Sequence, residues 1–305
     1  MKAATDTTEL FDMTTDEPAV KRRASDFSEI TKLRLNVMVL VTTLIGFVVA
    51  SPGPIDTWLL LTALVGTALC AAGASVLNQA WEWRHDKLMH RTADRPVAAG
   101  RMTPGEATSL GLLMSVCGTA TLGVAVNVLS ASLALSTILL YVLVYTPLKR
   151  VTTLNTVVGA IPGAIPPLIG CAAAAGALSL EAWGLFAILF CWQMPHFLAI
   201  AILCKDDYAA AGFKMLPVVD TTLTRTHVWS IVFGVLLIAA SMVPLYAQPT
   251  SVVYTVTALL LGAAFLGASI RCAMLGTRTS ARVAFFASII YLPLLLLVLM
   301  IDRLF

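Results

Sequence analysis

Nine stretches of mostly apolar residues, each near the roughly 20 that an α-helix needs to cross a bilayer, run through this chain. They lie at about 35–51, 57–76, 108–126, 130–146, 154–173, 182–203, 228–246, 252–270 and 284–301, and none contains Asp, Glu, Lys or Arg. Ionisable groups are costly in hydrocarbon, so a chain that moves all of them to the segment ends is built for a membrane. Composition agrees: 12% of the 305 residues are charged, against roughly 25% in a soluble domain. The predicted fold is all-α, a polytopic membrane bundle of nine helices over residues 31–305, around a central cavity open to the cytoplasmic side.

The positive charges orient it. With nine spans, the N-terminus and every loop after an even-numbered span share one side. Of the 20 Lys and Arg residues, all but Arg303 fall there. The positive-inside rule makes that side cytoplasmic, so the C-terminus lies on the outer side. The first 20 residues are polar and acidic, unlike a secretory signal or a mitochondrial presequence. They predict a disordered cytoplasmic tail over 1–30 and a bacterial cytoplasmic (inner) membrane. The six cysteines form no CxxC pair and lie in or beside apolar runs, as small core residues do. No nucleic-acid partner is expected.

Two long inner loops, 77–107 and 204–227, hold the unusual chemistry. They follow spans 2 and 6, and the offset of four suggests two four-helix halves of parallel topology plus a final helix. In the first, Asn78, Glu82 and Asp86 are spaced i, i+4, i+8 and share one stripe if span 2 continues as a helix. Two carboxylates and an amide oxygen suit a hard divalent cation such as Mg²⁺, which completes its shell with phosphate oxygens. Arg91 and Arg95 follow and can pair with phosphate. A solvated helix end is the bland alternative. The second loop opens with Lys205, Asp206, Asp207 and Tyr208, which is either ordinary loop charge or a second acidic cluster facing the first across the cavity. Lys149 and Arg150, which close span 4, are either diphosphate ligands or topology markers.

Span 5 carries Gly159, Pro162, Gly163, Pro166, Pro167 and Gly170. Irregular backbone at membrane depth must be buried by protein or line a cavity, so a cavity is expected between the halves. Span 6 contains Trp192-Gln193-Met194-Pro195-His196-Phe197, with His196 well inside it. An intramembrane His either serves a substrate, by hydrogen bonding or by ligating iron, or bonds a neighbouring helix. Transporters often carry ionisable residues near the midplane, and His196 alone titrates within these spans.

These motifs resemble the intramembrane UbiA-type prenyltransferase superfamily, and within it the protohaem IX farnesyltransferases, over nearly the whole chain. Thr31-Lys32-x-Arg34 resembles the family's opening. Asn78-x₃-Glu82-x₃-Asp86 with Met89-x-Arg91-Thr92-x₂-Arg95-Pro96 resembles its first acidic motif. Tyr145-Thr146-Pro147-Leu148-Lys149-Arg150 and Gly163-x₂-Pro166-Pro167-Leu168-Ile169-Gly170 match its middle. The most specific runs are Trp192-Gln193-x-Pro195-His196-Phe197 and Asp207-Tyr208-x₂-Ala211-Gly212-x₂-Met215-Leu216-Pro217, with Ser288-Ile289-x-Tyr291-Leu292-Pro293 fitting the end. Glu82 stands where many members have Asp, and Leu33 replaces an expected Pro. The second motif lacks a carboxylate at 210 or 211, which leaves the number of metals open.

The resemblance implies Mg²⁺-dependent transfer of a farnesyl group from farnesyl diphosphate to a vinyl group of haem b, with water added. By the same resemblance Asn78, Glu82, Asp86 and Asp207 would hold the metal. Arg91, Arg95, Lys149, Arg150 and Lys205 would bind the diphosphate, and His196, Gln193 and Trp192 would bind haem. Haem A synthase or terminal oxidase assembly proteins, and membrane lipid, are the implied partners. A prenyltransferase with another acceptor, such as an aromatic quinone precursor, and a non-catalytic haem carrier are the rivals.

Overall fold

The computed structural model describes residues 19–248 and 250–304. Among them nine helices are long and apolar enough to cross a membrane. We number α1 as Ala19–Ile30 and the first spans as α2 (Leu33–Ala50), α3 (Thr57–Asp86), α4 (Pro104–Ala125), α5 (Val128–Leu148) and α6 (Asn155–Ala175). Span α7 (Leu180–Leu203) is followed by two short inner-loop helices, α8 (Lys205–Ala210) and α9 (Leu216–Val219). The last three spans are α10 (Thr224–Ala247), α11 (Val252–Leu275) and α12 (Arg278–Leu304).

Helix α1 corrects the expectation of a disordered segment reaching residue 30. Its second half is tied to the bundle, because Gln79 of α3 donates through Nε2 to the Ile30 and Glu29 carbonyls at 2.9 and 3.2 Å. Arg101 also pairs with Asp26 at 2.8 Å. These long-range partners lie far along the chain, so local composition does not announce them. The part of the expected tail at 1–18 lies outside the described residues.

The spans are inside-out by the standards of a soluble helix. On α4 the buried positions are Ala107, Gly111, Ser115, Gly118 and Leu122, while Leu113 and Val116 are more than half exposed. Lipid tails solvate Leu and Val, so small residues face neighbouring helices and let backbones approach closely. Accordingly Gly73 and Gly66 of α3 meet Gly111 and Gly118 of α4. Helix packing runs around a ring: α3 on α4, α4 on α5, α5 on α6, α6 on α7, α7 on α10, α10 on α11 and α11 on α12. Helix α12 then returns to α2 and α7, while α2 crosses α6 through the middle.

At the end opposite most of the charged loops, Arg303 donates to the buried carboxylate of Glu181 at 2.8 and 2.7 Å. The one basic residue outside the charge pattern is thus neutralised by α7. Nearby, Asn127 caps α5 by accepting from the Ser130 N–H at 2.8 Å and donates to the Ala172 carbonyl of α6 at 2.7 Å. Asn127→Ala removes both bonds, and a lost cap costs about 1 kcal/mol. A lowered thermal-unfolding midpoint in detergent, with normal ligand binding, is the expected result.

The Gly- and Pro-rich span differs from its expected role. Helix α6 breaks at Ile165, between Asn155–Ala164 and Pro166–Ala175, but its glycines are mostly contact points rather than cavity lining. A Cβ on Gly170 would strike the Thr43 carbonyl, one on Gly46 the Pro167 carbonyl, and one on Gly163 the Gln193 amide. Removing side chains here lets α2 and α6 touch backbone to backbone. The cavity sits instead at the charged end of the bundle.

Candidate active site

Helix α3 is 30 residues long, more than a bilayer requires. Its last turns therefore extend beyond hydrocarbon and carry Asn78, Glu82 and Asp86 on one stripe, all buried at 1%, 4% and 1% exposure. Burying carboxylates is costly unless they are paired, and each finds a cation. Arg95 grips Asp86 with Nη1 at 2.9 and 3.0 Å from its two oxygens. Lys149 Nζ donates to Glu82 Oε2 at 2.9 Å, and Asn78 Nδ2 donates to the same oxygen at 2.9 Å.

Helix α5 delivers Lys149 through a wide turn. Residues Leu140–Tyr145 form a π-helix just before Pro147, where the ring of a proline crowds the carbonyl four residues back and perturbs the ladder. Thr146 Oγ1 donates to the Tyr141 carbonyl at 2.9 Å and accepts from Asn78 Nδ2 at 3.0 Å, which locks α5 to the acidic stripe. The Lys149 ammonium lies over the Tyr145 ring at 4.6 Å and the Phe213 ring at 5.7 Å. Burial is the largest single influence on Lys149 and lowers its pKa, but the adjacent Glu82 carboxylate, together with Tyr141 and Tyr208, holds the ammonium above its ordinary value.

Lys32 was not among the residues expected here. It joins α1 to α2 with φ 50° and ψ 50°, a left-handed conformation that costs a non-glycine residue about 1–3 kcal/mol. Asn36 Nδ2, donating to the Thr31 carbonyl at 2.6 Å, and Gln79, holding the end of α1, fix that turn. It swings Lys32 Nζ back to the Asn78 Oδ1 at 3.0 Å. Burial, reinforced by Arg95 and Lys149, pushes the Lys32 pKa down to about 7.

The second inner loop contributes rings and thioethers rather than acids. Tyr208 lies 6.0 Å below the Arg91 guanidinium, and burial raises its pKa. His85 stacks on Phe213 at 5.7 Å. Gly212, at φ 70°, turns the chain so that Phe213 and Met215 point inward, and the Lys214 N–H donates to the Lys149 carbonyl at 2.7 Å. Because α8 is a short helix, aiming Tyr208 at the cavity rotates Asp207 about 100° away.

Asn78, Glu82, Asp86, Arg91, Arg95 and Lys149 therefore share one cavity with Lys32, Met89, Tyr145, Tyr208, Phe213 and Met215. Asp207, Lys205 and Arg150 are not among the residues that line it, though Asp207 and Arg150 adjoin the lining residues Tyr208 and Lys149 in sequence. The cavity measures about 60 Å³, room for a cation with a few waters but not for an isoprenoid chain. An open groove of about 490 Å³ adjoins it and shares Lys32, Arg91 and Arg95.

Glu82 Oε1 is buried with no hydrogen-bond partner among the described residues. An unsatisfied carboxylate oxygen is expensive, and Glu82 lines the cavity together with a second carboxylate, Asp86, and the amide of Asn78. That donor set fits a hard divalent cation. Among the described residues no three His, Cys, Asp or Glu side chains cluster as a closed metal site. Mg²⁺ does not need one, since it takes one or two carboxylates and leaves the remaining positions to water and phosphate.

Span α7 holds the other predicted residues away from this cavity. His196 Nδ1 lies 2.7 Å from Ser288 Oγ of α12, and the ring stacks on Trp192 at 4.6 Å and on Phe285 at 5.2 Å. Gln193 turns toward α6 and donates through Nε2 to the Leu189 and Ala160 carbonyls at 3.1 and 3.3 Å. Trp192 and His196 thus form one cluster against α12, with Gln193 on the adjacent face.

A model of the UbiA prenyltransferase family matches residues 39–290. The protoheme IX farnesyltransferase of Solibacter usitatus is 44% identical over 287 residues, covering 91% of this chain and 98% of that protein. Its counterpart from Opitutus terrae is 42% identical over 289 residues, covering 94% and 98%. Among solved structures, one of digeranylgeranylglyceryl phosphate synthase superposes with TM-score 0.77 at 15% identity, covering 92% of this chain and 99% of the other. A UbiA homolog from Archaeoglobus fulgidus bound to GPP and Mg2+ superposes with TM-score 0.62 at 14% identity, covering 90% and 99%. With a paired-acid stripe ringed by cations at one end of a bundle of apolar helices, and a match spanning most of its length, the chain belongs to the UbiA prenyltransferase family.

Proposed function

We propose that this protein transfers the farnesyl group of farnesyl diphosphate to a vinyl group of haem b, with addition of water, to make haem O. The observation that carries the reading is the buried Asn78–Glu82–Asp86 stripe faced by Lys32, Arg91, Arg95 and Lys149. Relatives above 40% identity bear the name protoheme IX farnesyltransferase. The GPP and Mg2+ held by a structural neighbour support a prenyl diphosphate and a metal here.

Mg²⁺ held by Asn78, Glu82 and Asp86 would neutralise negative charge on the leaving diphosphate. Arg91, Arg95, Lys149 and Lys32 bind the remaining charge as the allylic C–O bond breaks and the oxygen departs with the electron pair. Asp207, Lys205 and Arg150, on the segments that also carry Tyr208 and Lys149, would contact only the part of the diphosphate and its metal shell that extends beyond the cavity. The faces of Tyr145 and Phe213, already seated under a cation, stabilise the allylic cation and exclude water. The vinyl carbon then attacks. One water adds to the resulting cation, loses its proton and leaves a hydroxyethylfarnesyl side chain. His196 positions haem as an iron ligand, with Trp192 and Gln193 beside it. The basic end of the bundle faces the cytoplasm of a bacterial inner membrane, where farnesyl diphosphate arrives. Haem A synthase or terminal oxidase assembly proteins are the expected recipients of the product.

Purified protein incubated with haem b, farnesyl diphosphate and Mg²⁺ will yield haem O by mass spectrometry. Chelation with EDTA will stop the reaction, Mg²⁺ will restore it, and Asp86→Ala will be inactive. Consumption of farnesyl diphosphate without haem O would mean another acceptor. Haem binding without any consumption would mean a carrier.

Gly159 gives a subtler check. A Cβ there would sit 2.5 Å from the Tyr145 ring. Gly159→Ala therefore shifts the ring while the fold survives. Small misplacements of this kind reduce turnover by up to about 10²-fold, and single-turnover assays on a stably folded variant will show it.

A further inference from the structure

Ser288 lies in the middle of α12 and is fully buried. Its side chain and its backbone both reach α7. The Ser288 carbonyl accepts from Trp192 Nε1 at 2.7 Å, and its Oγ is 2.7 Å from His196 Nδ1. The same Oγ is 2.5 Å from the Phe285 carbonyl one turn earlier. A hydroxyl has one proton, and a carbonyl can only accept. Both short contacts are satisfied in one way: Ser288 donates to Phe285 O and accepts from His196 Nδ1–H.

That assignment fixes the imidazole. None of the ion pairs among the described residues involves His196. Its surroundings are the indole of Trp192 and the rings of Phe197 and Phe285. A neutral ring is the form such an apolar sandwich accepts. With the proton on Nδ1, the lone pair is on Nε2, which has no hydrogen-bond partner among the described residues. Stacking between Trp192, inclined 19°, and Phe285, inclined 26°, holds the ring plane. The Ser288 bond then sets rotation within it.

We infer that Ser288 is the positioning residue that holds His196 in the Nδ1–H tautomer and aims Nε2 as the ligand for the iron of haem b. This rests on the reading of His196 as the haem-binding residue. Histidines that ligate metal characteristically donate their second nitrogen to a neighbouring acceptor, and loss of that acceptor weakens the ligand. Here the acceptor is a serine oxygen whose own proton is committed to the helix backbone. An ordinary interhelical bond would need Nδ1 alone and would place no demand on Nε2.

The test titrates haem b into full-length protein in detergent, following the absorption spectrum and the iron–histidine vibration of the ferrous state by resonance Raman. Wild type is expected to show a histidine-ligated haem, and His196→Ala to lose it. Ser288→Ala is expected to weaken haem binding by about 10–100-fold and to shift the vibration. Ser288→Thr, which restores a hydroxyl, is expected to recover both. Each variant should remain folded in detergent, with a somewhat lower unfolding midpoint where a buried group is removed, and should still bind farnesyl diphosphate. If Ser288→Ala matches wild type in affinity and vibration while His196→Ala still loses the ligand, the positioning role is wrong and the haem-binding reading stands. If His196→Ala keeps the wild-type spectrum, the haem-binding reading falls and takes this inference with it.

Discussion

Glu82→Gln lowers haem O formation about 10²–10³-fold, the usual loss when one element of a transition-state charge clamp is removed. The substitution keeps the shape of the side chain and removes its charge. It also leaves the Lys149 ammonium, 12% exposed and 2.9 Å away, without its carboxylate partner. Breaking one side of a buried ion pair costs roughly 3–5 kcal/mol, so the single variant is also destabilised. Glu82→Gln with Lys149→Met separates the two effects. Removing both charges restores much of the unfolding midpoint, because no lone charge stays buried, but it does not restore turnover. If the double variant recovered activity, Glu82 would serve only to neutralise Lys149. Product formation and thermal unfolding measured on the same preparations decide this.

The second large effect is steric and far from the chemistry. Gly170→Ala puts a Cβ against the Thr43 carbonyl and within 2.7 Å of the Phe47 backbone nitrogen. Those atoms belong to a helix backbone and cannot rotate aside. Overpacking a tight contact costs about 1–3 kcal/mol, and an obstruction made of backbone belongs at the top of that range. The α2–α6 crossing positions both inner ends of the bundle, so loss of folded protein in detergent is the expected outcome. Gly267→Ala on α11 is the control, since nothing lies within 4 Å of its Cβ position. Removing glycine flexibility there is expected to stabilise by about 0.5–1 kcal/mol.

Residual legibility divides along a physical line. Hydropathy is a property of each segment, so the nine spans could be placed from composition along the chain, and the described residues hold nine such helices. Helical periodicity is equally local. Asn78, Glu82 and Asp86 had to share a face once α3 ran on past the membrane, and they do. Arg91, Arg95 and Lys149 join them because charges kept out of hydrocarbon collect at the same end. The glycines of α6 were visible, but whether a missing side chain opens a cavity or admits another backbone depends on the neighbour. Here the neighbour is α2.

From the sequence alone came what adjacent residues decide: an all-helical membrane bundle, an acidic stripe with basic companions, and a histidine inside a span. Tertiary structure decided what depends on rotation and on distant partners. A left-handed turn at Lys32 brings an ammonium to Asn78 from 46 residues away. The rotation of α8 presents Tyr208 to the cavity and turns Asp207 aside. Ser288, a polar residue of the last span whose own segment shows no role for its hydroxyl, reaches His196 from 92 residues along the chain. Side-chain identity sets what a residue can do, but the packing of helices far apart in sequence sets which atoms it meets. That packing depends on close contacts that no single segment encodes.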